Sequence, residues 1–332
     1  MVVGVDRAGV GHIVLAIVEI SGTVVRWVEV HRLAVAGREP AIARDVGHRA
    51  AGVWLPRSRF ADVAALATAT LKLGPDADAF YALGWAQSST GQPRQALANY
   101  EQALHRYREA GDRGNEAATL NDIGLVHDSL GDRRHALDYL RQALSIRREG
   151  GNRGGEAVTL NNIGGVYDGL GDREQALAYY QQALPIRREV GDRGGEAATL
   201  NNIGSLHDGL GDREQALAYY QQALPIIREV GNRAGEAATL GNIGLVYRGL
   251  GDGPQALAYY QQALAILREV GDRAREAVIR YNIAMVHRAE RDLDRAVGEL
   301  EIVVDLDRQI GHPDLESDTA ALERVRQERA RS

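Results

Sequence analysis

Residues 199–224, TLNNIGSLHDGLGDREQALAYYQQAL, carry two successive helix patterns and decide the fold of this chain. In each pattern, apolar or small residues recur at intervals of three or four, as they do along one face of a helix. The two sets are Leu200, Ile203, Gly204 and His207, and then Ala216, Tyr220, Ala223 and Leu224. Between them, Gly211 can end a helix in the left-handed conformation, and Asp212 with Gln215 resembles a capping box that begins the next helix. The stretch therefore predicts a helix–turn–helix unit.

The same unit recurs along most of the chain with a period of 40 residues. Residues 151–190 and 191–230 differ at only six of their 40 positions. A glycine recurs inside the first helix, where it costs about 1 kcal/mol, and this predicts a close approach of two helices. A fixed period of this kind is typical of a solenoid, in which each helix pair buries its apolar face against the next pair. We expect about six repeats, at 74–110, 111–150, 151–190, 191–230, 231–270 and 271–310.

The two ends of the chain depart from the repeat. Residues 57–73 predict a half-repeat helix that caps the N-terminal end of the array. The charged residues 311–332 predict a capping helix at the other end, since terminal units need a polar outer face. The fold of residues 1–55 stays open. HIVLAIVEI (12–20) and VVRWVEVHRL (24–33) flank a Ser-Gly-Thr turn and are rich in β-branched residues, so a β-hairpin is one interpretation of this segment.

Several copies of this pattern in strict register resemble the tetratricopeptide repeat, in the longer-period form of kinesin light chains, Leu-Gly-Asn-repeat adaptors and many bacterial signalling proteins. The resemblance rests on the Leu, Gly and Tyr or His of the first helix, the Gly-Asp turn, and the Ala, Tyr and Ala of the second, over roughly residues 57–312. It implies an all-α, right-handed solenoid whose first helices line an inner, concave wall. It also implies that asparagines on this wall hydrogen-bond the backbone of a bound peptide.

Two adjacent asparagines in the first helix indicate a binding surface. At about 100° per residue, Asn202 points roughly 150° away from the core face, and Asn201 lies on the flank of that face. An amide both donates and accepts, so a row of amides can hold an extended main chain. Carried over from the resembled families, the candidate residues are Asn121, Asp122, Asn161, Asn162, Asn201, Asn202, Asn242 and Asn282. The alternative is that these side chains are solvated or bridge neighbouring helices.

The charges expected on the same wall set the chemistry of a bound peptide. Leu-Gly-Asn-type adaptors carry an arginine four residues before the asparagine. The corresponding residues of this chain are uncharged, namely Val158, Ala198, Ala238 and Val278. Asp168 and Asp208 make the wall mildly acidic, and Arg248 and Arg288 reverse its sign toward the C-terminal repeats. We therefore expect a polar or partly basic peptide, with any acidic part near the C-terminal repeats.

The composition argues against several other classes of protein. The net charge of −6 offers no basic surface for nucleic acid, and no apolar run approaches the ~20 residues of a membrane span. The absence of cysteine removes disulfides, thiolate metal sites and cysteine nucleophiles. No zinc-protease, phosphate-loop or serine-hydrolase motif occurs, so we expect no catalytic residue, no metal and no cofactor. The recurring His127, His207 and His287 are interpreted as packing residues that replace Tyr167 and Tyr247.

These observations favour a cytoplasmic, non-enzymatic scaffold that binds a protein or peptide in the groove of the array. Two alternatives stay open. One is a regulatory or sensor subunit of a bacterial signalling system, and the other is an array that associates with itself into a homo-oligomer, because near-identical repeats can stack across chains. The least favoured alternative is the remnant of an enzyme domain within residues 1–55, where Asp6 follows a strand-like opening.

Overall fold

The computed structural model describes residues 24–55 and 58–332, and the regular elements of this part of the chain are helices, with no strand. In chain order the helices are α1 (Val24–Ala36), α2 (Pro40–Trp54), α3 (Phe60–Leu71), α4 (Ala77–Ser89), α5 (Pro93–Ala110), α6 (Arg113–Ser129), α7 (Arg133–Glu149), α8 (Arg153–Gly169), α9 (Arg173–Glu189), α10 (Arg193–Gly209), α11 (Arg213–Glu229), α12 (Arg233–Gly249), α13 (Gly253–Val270), α14 (Arg273–Ala289), α15 (Leu293–Ile310) and α16 (Leu315–Arg331). The predicted all-α class of tandem helix–turn–helix repeats is confirmed.

The segment before the repeats is helical where a β-hairpin was one interpretation. Helix α1 covers residues 24–33, the second strand of that hairpin, whereas residues 12–20 lie outside the described part of the chain. The residues of α1 that pack inward are Trp27, Val30, His31 and Ala34. Their spacing of three, four and seven residues is that of one helix face, and burial of this face outweighs the strand preference of the valines. The hairpin interpretation is therefore wrong.

Helix α3 lies in the segment predicted as a half-repeat, but it is not the first helix of the array. Helices α1 and α2 precede it in the described chain. Side chains of α2, α3 and α4 share one apolar cluster that includes Trp54, Val63, Leu66 and Ala82. The helical array therefore begins upstream of the predicted cap.

The turns within the repeats follow the predicted chemistry. The turn glycines have positive φ angles between 79° and 83°, and they are Gly131, Gly171, Gly211 and Gly251. Glycine is favoured in this left-handed region because it has no Cβ atom. Asp212 then caps the next helix, since its carboxylate accepts a hydrogen bond from the backbone N–H of Gln215 at 3.3 Å. Arg291 replaces the glycine in the last repeat and adopts the same conformation, with φ of 66°.

A glycine inside the first helix marks the closest contact within a repeat. A Cβ atom on Gly204 would lie 2.8 Å from the ring of Tyr220, and one on Gly244 would lie 2.7 Å from the ring of Tyr260. These distances are well inside van der Waals contact, so a side chain fits only if the ring moves. The close approach predicted from the recurring glycine is confirmed.

Each full repeat from residue 111 onward buries a glutamate in the first turn of its first helix. These residues are between 3% and 6% exposed, and they are Glu116, Glu156, Glu196, Glu236 and Glu276. In the fourth of them, Arg228 donates to one carboxylate oxygen of Glu236 at 2.7 Å and Arg233 donates to the other at 2.6 Å. Buried charges need such partners, because desolvation of an unpaired carboxylate is costly. We call this arrangement the arginine–glutamate clamp.

The described chain divides into two compact units, which meet in sequence between Val166 and Tyr167. In the first unit, Tyr100 and Leu120 lie at the centre of the repeat core. In the second unit, Tyr260 is completely buried in the corresponding core. None of the described helices is both long and apolar enough to cross a membrane.

Candidate partner-binding site

In the first unit, the candidate residues are joined to one another across neighbouring first helices. The Asn121 side chain is 4% exposed, and its oxygen accepts hydrogen bonds from Asn162 at 3.0 Å and from the hydroxyl of Thr159 at 3.3 Å. Asp122 accepts a hydrogen bond of 2.6 Å from the phenol of Tyr81, one first helix upstream. Burial raises the pKa of Asp122. These polar side chains brace α4, α6 and α8, as the bridging alternative expected.

In the second unit, the flank asparagine has the same bracing role. The hydroxyl of Thr239 donates to the side-chain oxygen of Asn201 at 3.0 Å, which links α10 to α12. One repeat later both partners change together, to Gly241 and Ile279. A Cβ atom on Gly241 would lie 2.9 Å from Cδ1 of Ile279, so an apolar contact replaces the hydrogen bond. The position of Asn201 is thus part of the interface between repeats.

A depression opens between α12 and α14 beside Asn242 and Asn282, the asparagines at the position of Asn202 in the last two repeats. Its volume is about 240 Å³, and it is lined by Asn242, Leu245, Val278, Ile279 and Asn282, among others. The amide of Asn242 is half-buried and makes no hydrogen bond within the described residues, whereas Asn282 accepts one from Arg248 at 2.8 Å. The Val278 side chain is 51% exposed at the rim. Asn162 and Asn202 are half-buried at the equivalent positions of earlier repeats, and Asn161 is half-buried at the flank position.

The four charged candidates differ in how fully they are neutralised. Arg288 forms a two-pronged ion pair with Glu328 of the C-terminal helix, with Nε at 2.9 Å from the carboxylate, so its charge is cancelled. Arg248 pairs instead with the neutral amide of Asn282 and keeps its positive charge. Asp168 is exposed and Asp208 is half-buried. The predicted change of sign therefore rests on Arg248 alone among these candidate arginines.

The first unit also contains a cavity of about 180 Å³ that the sequence did not indicate. It is lined by residues of α2 to α6, including Arg44, His48, Asp78, Trp85 and Tyr107. The phenol of Tyr107 donates to Asp78 at 2.6 Å, and His48 lies 3.2 Å from the other oxygen of that carboxylate. Burial, followed by this hydrogen bond, raises the pKa of Tyr107. The lining residues come from helices on both sides of the predicted start of the array, and no repeat signal relates them.

Two carboxylates meet where the C-terminal helix α16 packs on α15. Asp307 is 1% exposed, and neither of its carboxylate oxygens receives a hydrogen bond from the described part of the chain. Burial and the neighbouring carboxylate of Asp307 raise the pKa of Asp318 to about 6. A negative charge on Asp318 is therefore unfavourable in the folded protein at neutral pH.

Helix pairs of constant period, joined by Gly-Asp turns and closed by a small residue against an aromatic ring, define a class of helical repeat proteins. The tetratricopeptide repeat model matches residues 90–149, 150–229 and 235–309, which together are more than half of the chain. The chain therefore belongs to the tetratricopeptide repeat family. Comparison with curated protein sequences finds no match.

Three solved structures illustrate the proteins whose fold resembles that of this chain. Aspartyl phosphate phosphatase F from Bacillus subtilis aligns with a TM-score of 0.65 at 14% identity, over 85% of this chain and 75% of that one. A Rap protein complexed with Competence and Sporulation Factor aligns with a TM-score of 0.60 at 15% identity, over 97% and 99% of the two chains. A signal transduction ATPase with a tetratricopeptide repeat sensor, from Pyrococcus horikoshii, gives 0.72 at 15% identity, and the alignment covers 95% of this chain and 48% of that one. At these identities the likeness is one of fold.

Proposed function

We propose that this protein is a non-enzymatic scaffold that binds an extended peptide segment of a partner protein at the depression between α12 and α14. The observation that carries the proposal is the half-buried amide of Asn242, which is left without a hydrogen bond among the described residues and lies beside exposed Val278. A half-buried amide gains from a partner that both donates and accepts, and a peptide main chain offers both groups. A cytoplasmic site of action, expected from the sequence, is part of this proposal.

The lining of the depression specifies the chemistry of the segment. Leu245, Val278 and Ile279 provide an apolar wall that suits an aliphatic or aromatic side chain. Arg248 donates to the neutral amide of Asn282, which lines the depression, so an acidic residue one or two positions along the peptide would be attracted to the guanidinium. Arg275 also lines the depression but already pairs with Asp272 at 3.1 Å, which reduces its pull on a ligand. We propose a segment with one apolar anchor followed by a carboxylate.

Two solved structures of similar fold support the proposal that repeats of this kind bind a ligand or partner. One neighbour in fold is a Rap protein complexed with Competence and Sporulation Factor, and another contains a tetratricopeptide repeat sensor. These two neighbours also favour the second candidate, a regulatory or sensor subunit whose repeats respond to a bound ligand. The two candidates share the same binding face and differ in the consequence of binding.

Binding is tested with the full chain as bait for a phage-displayed random peptide library, followed by fluorescence anisotropy with the selected peptide made synthetically. We expect Val278→Asp to abolish binding, because it places a charge on the apolar wall. Asn242→Ala removes one neutral hydrogen bond of about 0.5–1.5 kcal/mol and should weaken binding between about twofold and tenfold. Val230→Asp is the matched control, since Val230 is 44% exposed and does not line the depression.

Equal loss in Val278→Asp and Val230→Asp, or full binding by Val278→Asp, would contradict the proposed site. Light scattering over a range of concentrations distinguishes the remaining alternative. A mass that rises with concentration, in the absence of peptide, would favour a self-associating array.

A further inference from the structure

Two histidines and an aspartate converge at the turn between α6 and α7. Nδ1 of His127 lies 3.5 Å from Oδ2 of Asp132, and Nδ1 of His135 lies 2.6 Å from the same oxygen. The two imidazole nitrogens and the carboxylate oxygen all lie within 4.8 Å of one another. A metal was not expected from the sequence, because the two histidines belong to different helices and match no ligand motif.

The combination occurs once among the five full repeats from residue 111 to residue 310. The position of His127 alternates between histidine and tyrosine along the repeats, and the position of Asp132 is always aspartate. The position of His135 is occupied in the other repeats by Gln175, Gln215, Gln255 and Arg295. His207 and Asp212 reproduce the first pair at 3.4 Å, but no third ligand accompanies them. The pair of His207 and Asp212 is therefore an internal control for the contribution of His135 to metal binding.

The frame around the cluster holds two of the three ligands in place. The ring of His127 stacks on Tyr139 with centroids 5.3 Å apart and planes 14° from parallel, and its side chain is only 19% exposed. Asp132 is fixed as the cap of α7, because its other oxygen accepts the backbone N–H of His135 at 3.4 Å. The His135 side chain is 61% exposed and can adjust.

The separation between His127 and Asp132 suits a tetrahedral ion. Metal–ligand bonds of about 2.0–2.2 Å place neighbouring ligand atoms about 3.4 Å apart, close to the distance between His127 and Asp132. The shorter contact of His135 with Asp132 is a hydrogen bond, which must open by about 1 Å. The exposed His135 ring can make that movement by a small rotation, and solvent can supply the fourth ligand. Two imidazoles with one carboxylate select a borderline transition-metal ion over Mg²⁺ or Ca²⁺.

We propose that His127, Asp132 and His135 bind one divalent transition-metal ion of the zinc class, which clips α6 to α7 across their turn. The alternative is that His135 only stabilises the start of α7 through its hydrogen bond with Asp132. The two accounts differ in what His135→Gln does. That substitution restores the residue of three other repeats and leaves the aspartate cap intact.

The test is isothermal titration of Zn²⁺ into the full-length, metal-stripped chain without an affinity tag, paired with thermal melts with and without the ion. We expect one ion per chain and a higher melting temperature in its presence. His135→Gln and His127→Tyr both introduce the residue found at that position in other repeats. Each should weaken metal binding at least about tenfold, because even the loss of a residue that only hydrogen-bonds to a metal ligand weakens binding by about this factor. His207→Tyr, at the pair without a third ligand, should bind as the unaltered chain does.

Absence of saturable binding would overturn the proposal. So would binding that is unchanged in both His135→Gln and His127→Tyr, because the ion would then sit at other surface histidines. Circular dichroism of each variant without metal checks that the helices form, which keeps a folding defect separate from the loss of a ligand.

Discussion

Glu236→Ala should destabilise the protein by about 2–3 kcal/mol. The carboxylate is buried, and it accepts one hydrogen bond from Arg228 and one from Arg233. A hydrogen bond to a charged group contributes about 1.5–3 kcal/mol, and loss of one member of a fully buried ion pair costs about 3–5 kcal/mol. Here the arginine side chains are 51% and 43% exposed, so they regain water when the carboxylate is removed. The expected loss therefore lies below the fully buried value.

The measurement is urea unfolding at pH 7, followed by circular dichroism, for the unaltered chain, Glu236→Ala and Glu214→Ala. Glu214 is an exposed glutamate of the next helix upstream, and its removal should change the free energy of unfolding by less than about 0.5 kcal/mol. If Glu236→Ala is as stable as Glu214→Ala, the clamp does not stabilise the fold and the reasoning fails.

Acid provides an independent test of the same clamp. The flanking arginines lower the pKa of Glu236 below its ordinary value of about 4.3, although burial acts in the opposite direction and is the largest single influence. A carboxylate with a lowered folded-state pKa stabilises the protein above the unfolded-state pKa, and this contribution is lost as the pH falls through the folded-state value. The stability difference between the unaltered chain and Glu236→Gln should thus shrink from pH 7 to pH 3. A constant difference would show that charge is not involved.

Five further substitutions test three other features of the structure by urea or thermal unfolding. Gly204→Ala should lower the free energy of unfolding by about 1–2 kcal/mol, because crowding of the Tyr220 ring outweighs the better helix propensity of alanine. Gly298 has open space around it, so Gly298→Ala should raise the free energy of unfolding by about 0.5–1 kcal/mol. Equal effects of the two substitutions would refute the close contact. Tyr81→Phe should lower the free energy of unfolding by about 1.5–3 kcal/mol, because the Tyr81 hydroxyl donates to a buried carboxylate. Tyr260→Phe should be neutral or stabilising, because the buried Tyr260 hydroxyl has no partner among the described residues. A folded-state pKa of about 6 for Asp318 means that stability falls as the pH rises from about 4 to about 6. Asp318→Asn should therefore raise the melting temperature at pH 7.5 and not near pH 4, and a gain that is equal at both would exclude ionisation as the cause.

The repeat period predicted more of the fold than any local preference did. Forty-residue spacing placed the helix pairs, the Gly-Asp turns and the glycine at the closest contact, because all three depend on residues near one another in sequence. The second strand of the β-hairpin interpretation, over residues 24–33, failed for the opposite reason. Valine content favours a strand there, whereas the spacing of Val30 and Ala34 favours a helix, and burial against α2 and α3 decides the outcome.

The sequence predicted the direction in which the asparagines point but not the partners of their side chains. Helix geometry indicated that Asn242 faces away from the core, and the depression lies at that face. The partners of the other asparagines stand about one period away in sequence, as Thr159 does for Asn121. A pattern within one helix carries no information on such a partner. The clamp around Glu236 was missed for the same reason, since its arginines belong to the end of one repeat and the start of the next.

The pair Gly241 and Ile279 replaces the hydrogen-bonded pair Asn201 and Thr239 in the next repeat. This replacement affects how the number of repeats can change during evolution. Excising residues 191–230 would bring Asn161 opposite Thr239, the same chemistry as the Asn201 and Thr239 pair. Excising residues 231–270 would bring Asn201 opposite Ile279, which leaves an amide without a partner against a methyl group. The earlier repeats are therefore interchangeable modules that unequal recombination can duplicate or delete at little cost. The junction between residues 231–270 and 271–310 is not interchangeable, because Ile279 needs Gly241 opposite it. These two repeats are therefore expected to stay together when the number of repeats changes.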